Sequence, residues 1–227
     1  MTPMPHHPRR RTLLTGALAG TAALLLTACG SAAPSSGSSA LGGDSAAQVS
    51  GQNKGPYQGL NLGRTFAKPD VAFTDTSGKP FNIAKQTAGR TVLLYFGYTH
   101  CPDVCPTTMY DIAAAIAKLP VADQQKVQVV FVTTDPARDT GAAMRTWLNA
   151  FNSSFIGLTA PINTIIAAAK SVGVGVEAPT AGKEPVHGAQ VLAYLPTDGK
   201  AHTIYTSDTA SAVYLHDLPL LIKGVTS

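Results

Sequence analysis

The pattern of apolar and polar positions changes at Arg64, where short apolar runs begin to alternate with helical stretches. Two of these runs, TVLLYFGY at 91–98 and VQVVFVTT at 127–134, are continuous, which is typical of strands buried on both faces of a sheet. Between them the pattern predicts a helix from Pro106 to Leu119. Further along, it predicts a short strand at 155–160 and helices at 142–151, 161–173 and 208–224, the last of which Pro219 must begin or bend.

Two predicted hairpins flank this arrangement. The first covers residues 70–83 and turns at Ser77-Gly78, and the second covers residues 189–207 and turns at Asp198-Gly199. Strands and helices alternate between the hairpins. The order of elements over residues 64–227 therefore predicts one α/β domain, with a mixed central sheet flanked by helices.

Residues 30–63 show no sustained apolar pattern and carry only two charged side chains, Asp44 and Lys54. A segment of this composition cannot bury enough apolar surface to offset the entropy cost of ordering. We expect a flexible linker with a root-mean-square span of about 30 Å, the value for a Gly/Ser-rich coil of this length. Such a linker would let the folded domain meet a partner at a membrane surface.

The chain begins with the pattern of an export signal. Three arginines at 9–11 precede 17 uncharged residues that end at Ala28, a stretch too short to span a membrane comfortably. Small residues then lead into Cys29, which resembles the lipobox of bacterial lipoproteins, so we expect cleavage after Ala28 and lipidation of Cys29. An ordinary secretory signal is the alternative, and the basic start fits either the general or the twin-arginine export route.

These boundaries divide the chain into a signal peptide (1–28), a lipidated cysteine with its linker (29–63) and a folded domain (64–227). Cleavage removes three arginines and no acidic residue, so the excess of Lys and Arg over Asp and Glu falls from +4 to +1. A nearly neutral mature protein gives no electrostatic basis for binding nucleic acid.

With Cys29 lipidated, the remaining thiols are Cys101 and Cys105 in the segment YFGYTHCPDVCP, where a proline follows each cysteine. A residue before proline avoids the helical conformation, so we expect the helix to begin at Pro106 with Cys105 at its N-cap. Both sulfurs would then face the free amides and the positive dipole of the helix start, which lower thiol pKa values. The segment therefore predicts two reactive thiolates.

The cysteine spacing leaves three alternatives open: a structural disulfide, a redox couple and a metal site. Three residues separate the cysteines, one more than in the Cys-x-x-Cys redox pattern. A disulfide needs Cβ atoms about 3.8 Å apart, whereas two thiolates that each bind one metal at about 2.3 Å tolerate a wider separation. The spacing permits a bridge but suits a metal clamp better, and thiolates with an imidazole favour Cu(I).

Four histidines of the exported chain are candidates for a third metal ligand. His202 and His216 are expected to be surface or internally paired histidines, and His100 is expected to reach solvent. His187 lies in the loop that enters the second hairpin, and it becomes the favoured candidate if the fold brings that loop to the cysteine-bearing helix. Asp103, between the cysteines, is expected to shape the loop rather than to bind metal.

Three segments in this order, GYTHCPDVCP, TTDPARDT and a histidine before the final hairpin, resemble the Sco/SenC family of thioredoxin-like copper proteins that serve cytochrome c oxidase assembly. The resemblance covers about residues 64–223. It implies a thioredoxin-like fold, with Cys101, Cys105 and His187 as copper ligands and Asp135 as an acid near the site or in contact with a partner. Asp135 followed by proline also fits a helix N-cap, which is an alternative role for this residue.

The chain departs from the family pattern at Val186, where family members often carry an acid directly before the histidine. A metal-bound histidine usually needs a hydrogen-bond partner at its other nitrogen. We therefore expect the outer partner of His187 to differ from that of other members.

The resemblance implies a lipid-anchored copper chaperone on the extracytoplasmic face of a bacterial membrane. Its cargo would pass to the binuclear copper site of a cytochrome c oxidase subunit, and another extracytoplasmic copper chaperone is a further candidate partner. The alternative is an enzyme, a thiol-disulfide oxidoreductase that reduces the oxidase copper-ligand cysteines and forms a Cys101–Cys105 disulfide. His187 discriminates between them, because a reductase needs no imidazole ligand.

Overall fold

The computed structural model describes residues 55–226. The predicted signal peptide, Cys29 and most of the predicted linker lie outside the described residues. Within this range the strands are β1 (Leu60–Ala67), β2 (Phe73–Asp75), β3 (Pro80–Phe81), β4 (Thr91–Gly97), β5 (Val127–Thr133), β6 (Ile156–Thr159), β7 (Val191–Tyr194) and β8 (Lys200–Tyr205). The helices in the same range are α1 (Ile83–Gln86), α2 (Val104–Ala117), α3 (Val121–Gln124), α4 (Gly141–Asn149), α5 (Ile162–Ser171) and α6 (Ser211–Ile222).

The strands of the described residues form one mixed sheet in the order β1-β8-β7-β4-β5-β6-β2-β3. Its central strands β4, β5 and β6 are parallel, and antiparallel pairings attach the remaining strands on either side. The pairs β2–β3 and β7–β8 are the two predicted hairpins, and Gly78 takes a φ of 83° in the first turn. The predicted α/β class with a mixed sheet is confirmed.

The sheet is buried on both faces, which explains the continuous apolar runs of its central strands. Every residue of β4 is buried. Leu93 and Tyr95 pack into a core cluster with α2 and α6, whereas Val92, Leu94 and Phe96 pack into a second cluster with α5. Successive side chains of a strand point to opposite faces. Tyr95 therefore points toward the helix that carries Cys105.

The folded part begins before residue 64, the start that the apolar pattern predicts. Tyr57 is buried, and β1 begins at Leu60 and pairs with β8. Asp217 of α6 is fully buried and accepts hydrogen bonds from the Gln58 and Gly59 amides at 2.9 Å each. The pattern missed β1 because residues 63–65 in its middle are exposed and interrupt the apolar alternation.

Three segments that matter for the site leave the sheet at the same end. The strand pairings place Leu94, Leu192, Ile204 and Leu60 in one row across β4, β7, β8 and β1. Because each neighbouring pair in this row is antiparallel, the carboxyl end of β4 lies at the same end of the sheet as the amino ends of β7 and β1. The loop after β4, the loop before β7 and the start of the described chain therefore share one end of the sheet.

The helices differ from the predicted ones mainly at their ends. Pro219 lies inside α6, three residues before its last residue, instead of beginning the helix. The four-residue helices α1 and α3 were not predicted, because so short a segment carries no period of apolar positions. None of the helices within residues 55–226 has the length and apolar character that crossing a membrane requires.

Candidate metal centre

The helix after the cysteine loop begins two residues earlier than the prolines predict. α2 starts at Val104 with Asp103 as its N-cap residue, so Cys105 and Pro106 lie in its first turn. Proline is tolerated there because first-turn amides have no intrahelical partner. The predicted N-cap position of Cys105 is therefore wrong, and its side chain is fully buried in the core cluster beneath α2.

Cys101 and Cys105 are both free thiols, but their surroundings differ. Cys101 is partly exposed; burial alone raises its pKa, yet hydrogen bonds from the Asp103 and Cys105 amides bring the pKa below its ordinary value. Burial raises the pKa of Cys105 to about 12. The prediction of two thiols with lowered pKa values is wrong for Cys105, because desolvation of a buried thiolate outweighs the helix dipole.

Backbone pairing holds His187 in the loop before β7. His187 forms an isolated antiparallel bridge with Val176, and the Gly188 amide donates to the Gly175 carbonyl at 2.7 Å. In this position His187 Nε2 lies 3.8 Å from Cys105 Sγ, across 82 positions of sequence. The fold thus brings the predicted imidazole to one of the two predicted thiols.

The other ring nitrogen of His187 has a backbone partner. Nδ1 lies 3.2 Å from the Gly188 carbonyl oxygen, which only accepts, so Nδ1 carries the hydrogen and the Nε2 lone pair faces Cys105. Burial lowers the pKa of His187 and so favours the neutral imidazole. The Gly188 carbonyl is therefore the hydrogen-bond partner of the outer ring nitrogen, since the apolar side chain of Val186 cannot accept this bond.

The Cys105 and His187 donors have the separation of two ligands on one metal ion. With a metal ion about 2.3 Å from the sulfur and about 2.0 Å from the nitrogen, the 3.8 Å separation would give an S–metal–N angle of about 120°. Such an angle suits a metal with three or four ligands. No three His, Cys, Asp or Glu side chains within residues 55–226 are already gathered so that they could hold a metal ion. Cys101 therefore has to turn toward the other two donors to complete a three-donor site.

A buried carboxylate that the sequence reading did not single out holds the start of the cysteine loop. Asp139 accepts hydrogen bonds from the Thr99 amide at 3.0 Å, the Thr99 hydroxyl at 2.6 Å and the Thr133 hydroxyl at 2.6 Å. Thr99 lies two residues before Cys101, and Thr133 ends β5. The TTDPARDT segment contains Asp139 as well as Asp135, so the same motif that pointed to Asp135 could have pointed to Asp139.

Asp135 is buried but does not cap a helix. Residues 136–138 form a turn, and α4 begins later with Thr140 as its N-cap. The Asp135 carboxylate pairs instead with Arg138, which also reaches Glu184 at 3.2 Å on the loop that leads to His187. The N-cap alternative is therefore wrong, and Asp135 connects to the His187 loop through Arg138.

The other histidines of the described residues have partners away from the sulfurs, as expected. His202 pairs with Asp198 at 2.8 Å, and His216 pairs with Asp217 at 2.7 Å. The side chain of His100 is 52% exposed, and its Nδ1 lies 3.5 Å from Asp139.

This chain is similar to known proteins in sequence and in fold. The SCO1/SenC family model matches residues 62–223. Apo Sco1 from Thermus thermophilus is 31% identical with a TM-score of 0.64, covering 75% of this chain and 99% of that one. Copper-bound ScoI from Bradyrhizobium japonicum is 30% identical with a TM-score of 0.58, covering 70% and 98%. The mitochondrial protein SCO2 of Saccharomyces cerevisiae is 34% identical over 123 residues, which are 54% of this chain and 39% of the yeast protein.

The sheet order, the cysteine-bearing helix and the histidine loop define a thioredoxin-like domain with a sulfur and imidazole donor site. This chain belongs to the SCO1/SenC family, since the family match covers most of its length and nearly all of the described residues. The chain spans about half or less of the curated relatives that it matches, 56% of a Stutzerimonas stutzeri protein and 39% of the yeast protein.

Proposed function

We propose that this protein is a copper chaperone that binds one copper ion through Cys101, Cys105 and His187 and delivers it to the binuclear copper site of a cytochrome c oxidase subunit. The observation that carries the proposal is the 3.8 Å approach of His187 Nε2 to Cys105 Sγ. An imidazole lone pair directed at a thiol suits a shared metal, whereas disulfide exchange needs no such ligand. The copper bound in the Bradyrhizobium relative supports the same cargo.

The three donors differ in how they hold and release the cargo. Thiolate sulfur and neutral imidazole are ligands that suit Cu(I). Cys105 is fully buried, so it holds the metal from the protein side, together with His187. Cys101 is partly exposed, so a cysteine of the partner can displace it first. Because the Cys105 thiol must lose its proton on binding, copper affinity rises with pH.

The proposal extends to the membrane. Cleavage after Ala28 and lipidation of Cys29 would anchor the protein on the extracytoplasmic face of a bacterial membrane, and residues 30 to about 56 would link the anchor to the domain. The copper-bearing oxidase subunit is the proposed acceptor, and another extracytoplasmic copper chaperone is the proposed donor.

The unequal thiols favour a second candidate, a thiol-disulfide oxidoreductase acting on the copper-ligand cysteines of the oxidase. Cys101 is accessible and its pKa is lowered, as an attacking thiolate requires. Its sulfur would attack the target disulfide and release one target thiol. Cys105 would then resolve the mixed disulfide, which leaves a fully reduced target and a Cys101–Cys105 disulfide.

His187→Ala should separate copper binding from disulfide reduction, and copper titration of the full-length protein and of this variant measures the first of these. Loss of the imidazole should lower Cu(I) affinity by about 100-fold or more, since a ligand contributes at least as much as an outer partner. The rate at which the dithiol reduces a disulfide should stay within several-fold, because it depends on the thiols. His202→Ala is the matched control, since His202 pairs with Asp198, and it should change neither quantity.

Oxidase assembly in cells that carry His187→Ala shows which activity matters. Failed assembly that added copper partly rescues supports copper delivery. Normal assembly despite lost copper binding would reject delivery and leave the oxidoreductase standing.

A further inference from the structure

Two tyrosines near the end of β4 flank the site, and each lies beside one thiol. Tyr95 is fully buried, and its hydroxyl donates a hydrogen bond to Cys105 Sγ at 3.5 Å. Tyr98 lies beside Cys101. Both rings meet His187 edge-on, with centroids 6.1 Å and 5.7 Å from that of the imidazole. The Cys105 sulfur thus meets the Tyr95 hydroxyl and the His187 imidazole, and it also interacts with the Tyr98 amide and with Cys101.

The hydroxyl of Tyr95 is paired, unlike those of two other buried tyrosines. A buried hydroxyl without a partner costs free energy, and a phenylalanine would fill nearly the same volume. Among the described residues, the hydroxyls of Tyr194 and Tyr214 are buried without a hydrogen-bond partner. The Tyr95 hydroxyl instead meets a sulfur that is a candidate metal ligand.

Packing holds the hydroxyl and the sulfur together. A Cβ atom on Gly97 would lie 2.6 Å from the Tyr95 ring and 3.0 Å from Cys105 Sγ, so both groups already fill the space above this glycine. The Tyr95 ring also packs against Phe131, with a centroid distance of 6.2 Å. Close packing of this kind leaves neither side chain room to turn away.

We propose that Tyr95 is a positioning residue that orients Cys105 Sγ toward His187 and, through its hydrogen bond to sulfur, shifts the bound copper toward Cu(I). The inference rests on the proposed function, because it requires copper at Cys105. Hydrogen bonds around a cysteine ligand tune the potential of copper–thiolate sites by withdrawing electron density from sulfur. A sulfur that donates less density stabilises Cu(I) relative to Cu(II).

The test compares Tyr95→Phe with Tyr194→Phe in the purified full-length protein, with Cu(I) and Cu(II) salts as probes. Tyr194→Phe removes an unpaired buried hydroxyl by the same chemical change and should alter nothing at the site. For Tyr95→Phe the ratio of Cu(I) to Cu(II) affinity should fall about tenfold, which corresponds to about 59 mV for a one-electron couple. The sulfur-to-Cu(II) charge-transfer band should move to longer wavelength.

If Tyr95 served only to support the structure, Tyr95→Phe would lower the affinities for Cu(I) and Cu(II) equally. Equal losses of the two affinities, or a ratio and band unchanged from Tyr194→Phe, would therefore overturn the inference. Absence of copper binding by the unaltered protein would instead reject the proposed function and this inference with it. A 3-fluorotyrosine at position 95 keeps the ring and donates more strongly, so the band should move to shorter wavelength. A shift to longer wavelength would overturn the inference even if Tyr95→Phe did not fold.

Discussion

His187 Nε2 lies 3.8 Å from Cys105 Sγ, although 82 positions separate the two residues in the chain. The contact exists because β4 and β7 are adjacent and antiparallel, so the loop after β4 and the loop before β7 meet at one end of the sheet. The imidazole meets the buried cysteine of the pair. The two thiols are therefore unequal, with Cys105 inside the protein and Cys101 at its surface.

Alkylation with iodoacetamide should distinguish the two thiols at neutral pH. Cys101 should react at least about tenfold faster, because the thiolate is the reactive form and its pKa is lowered, whereas burial raises the pKa of Cys105 to about 12. As pH rises, the Cys101 rate should level off first, since its thiolate fraction saturates at lower pH. Peptide mass spectrometry measures both rates. In denaturant the two cysteines should be alkylated at the same rate. Equal rates in the folded protein would contradict the conclusion that the two thiols are unequal.

Gly97→Ala should disturb the site and the fold together. The added Cβ would stand 2.6 Å from the Tyr95 ring and 3.0 Å from Cys105 Sγ, so the two side chains must shift. We expect a loss of about 1–3 kcal/mol in the free energy of unfolding, as for other overpacked cores, and weaker copper binding. Urea denaturation and copper titration measure the two effects. Gly175→Ala is the control, because no atom beyond its two chain neighbours lies within 4 Å of its added Cβ.

Asp139→Ala should loosen the cysteine loop. It leaves the Thr99 amide and hydroxyl and the Thr133 hydroxyl without their acceptor, so we expect a loss of about 3 kcal/mol in unfolding free energy. Copper affinity should fall about tenfold, as for other supporting residues of metal sites. Asp123→Ala, which breaks only a surface pair with Lys126, is the control and should cost at most about 1 kcal/mol. Unchanged copper affinity in Asp139→Ala would show that the loop keeps its shape without this carboxylate.

Cys29→Ala should release the protein from membranes and leave its copper binding unchanged. Stable attachment through a lipidated cysteine requires that cysteine, whereas the donors lie in the domain after residue 55. Fractionation after a high-salt wash, followed by copper titration of the soluble form, measures both effects. Retention in the membrane fraction would mean that residues 12–28 remain as an uncleaved anchor.

The apolar pattern predicted the sheet and most helices. Strands that are buried on both faces consist of apolar residues in a continuous run, which is easy to recognise in a sequence. β4 and β5 appear as continuous apolar runs for that reason. The pattern missed β1, whose exposed middle residues resemble a linker, although it pairs with β8 through both of its ends. It also misplaced the start of α2, because a proline in the first turn is as acceptable to a helix as a proline at its first residue.

The motif segments supplied the proposed donors but not their surroundings. Cys101, Cys105 and His187 could be named from the sequence and the family resemblance, because ligand chemistry belongs to the residue types themselves. Asp139 was overlooked, since a carboxylate that accepts three hydrogen bonds across two loops looks in sequence like any loop acid. The sequence also fitted Asp135 as a helix N-cap, but residues 136–138 form a turn and not a helix.

The sequence by itself determined the class of fold, the family and the three residues proposed as donors, because periodicity, residue chemistry and motif order are properties of the chain. Only the tertiary structure decided that Cys105 is fully buried and Cys101 only partly, that Gly188 fixes the imidazole tautomer, and that Tyr95 donates to Cys105. These features depend on distance and desolvation. Both arise when residues far apart in sequence pack together at one end of the sheet, and a pattern along the chain does not contain them.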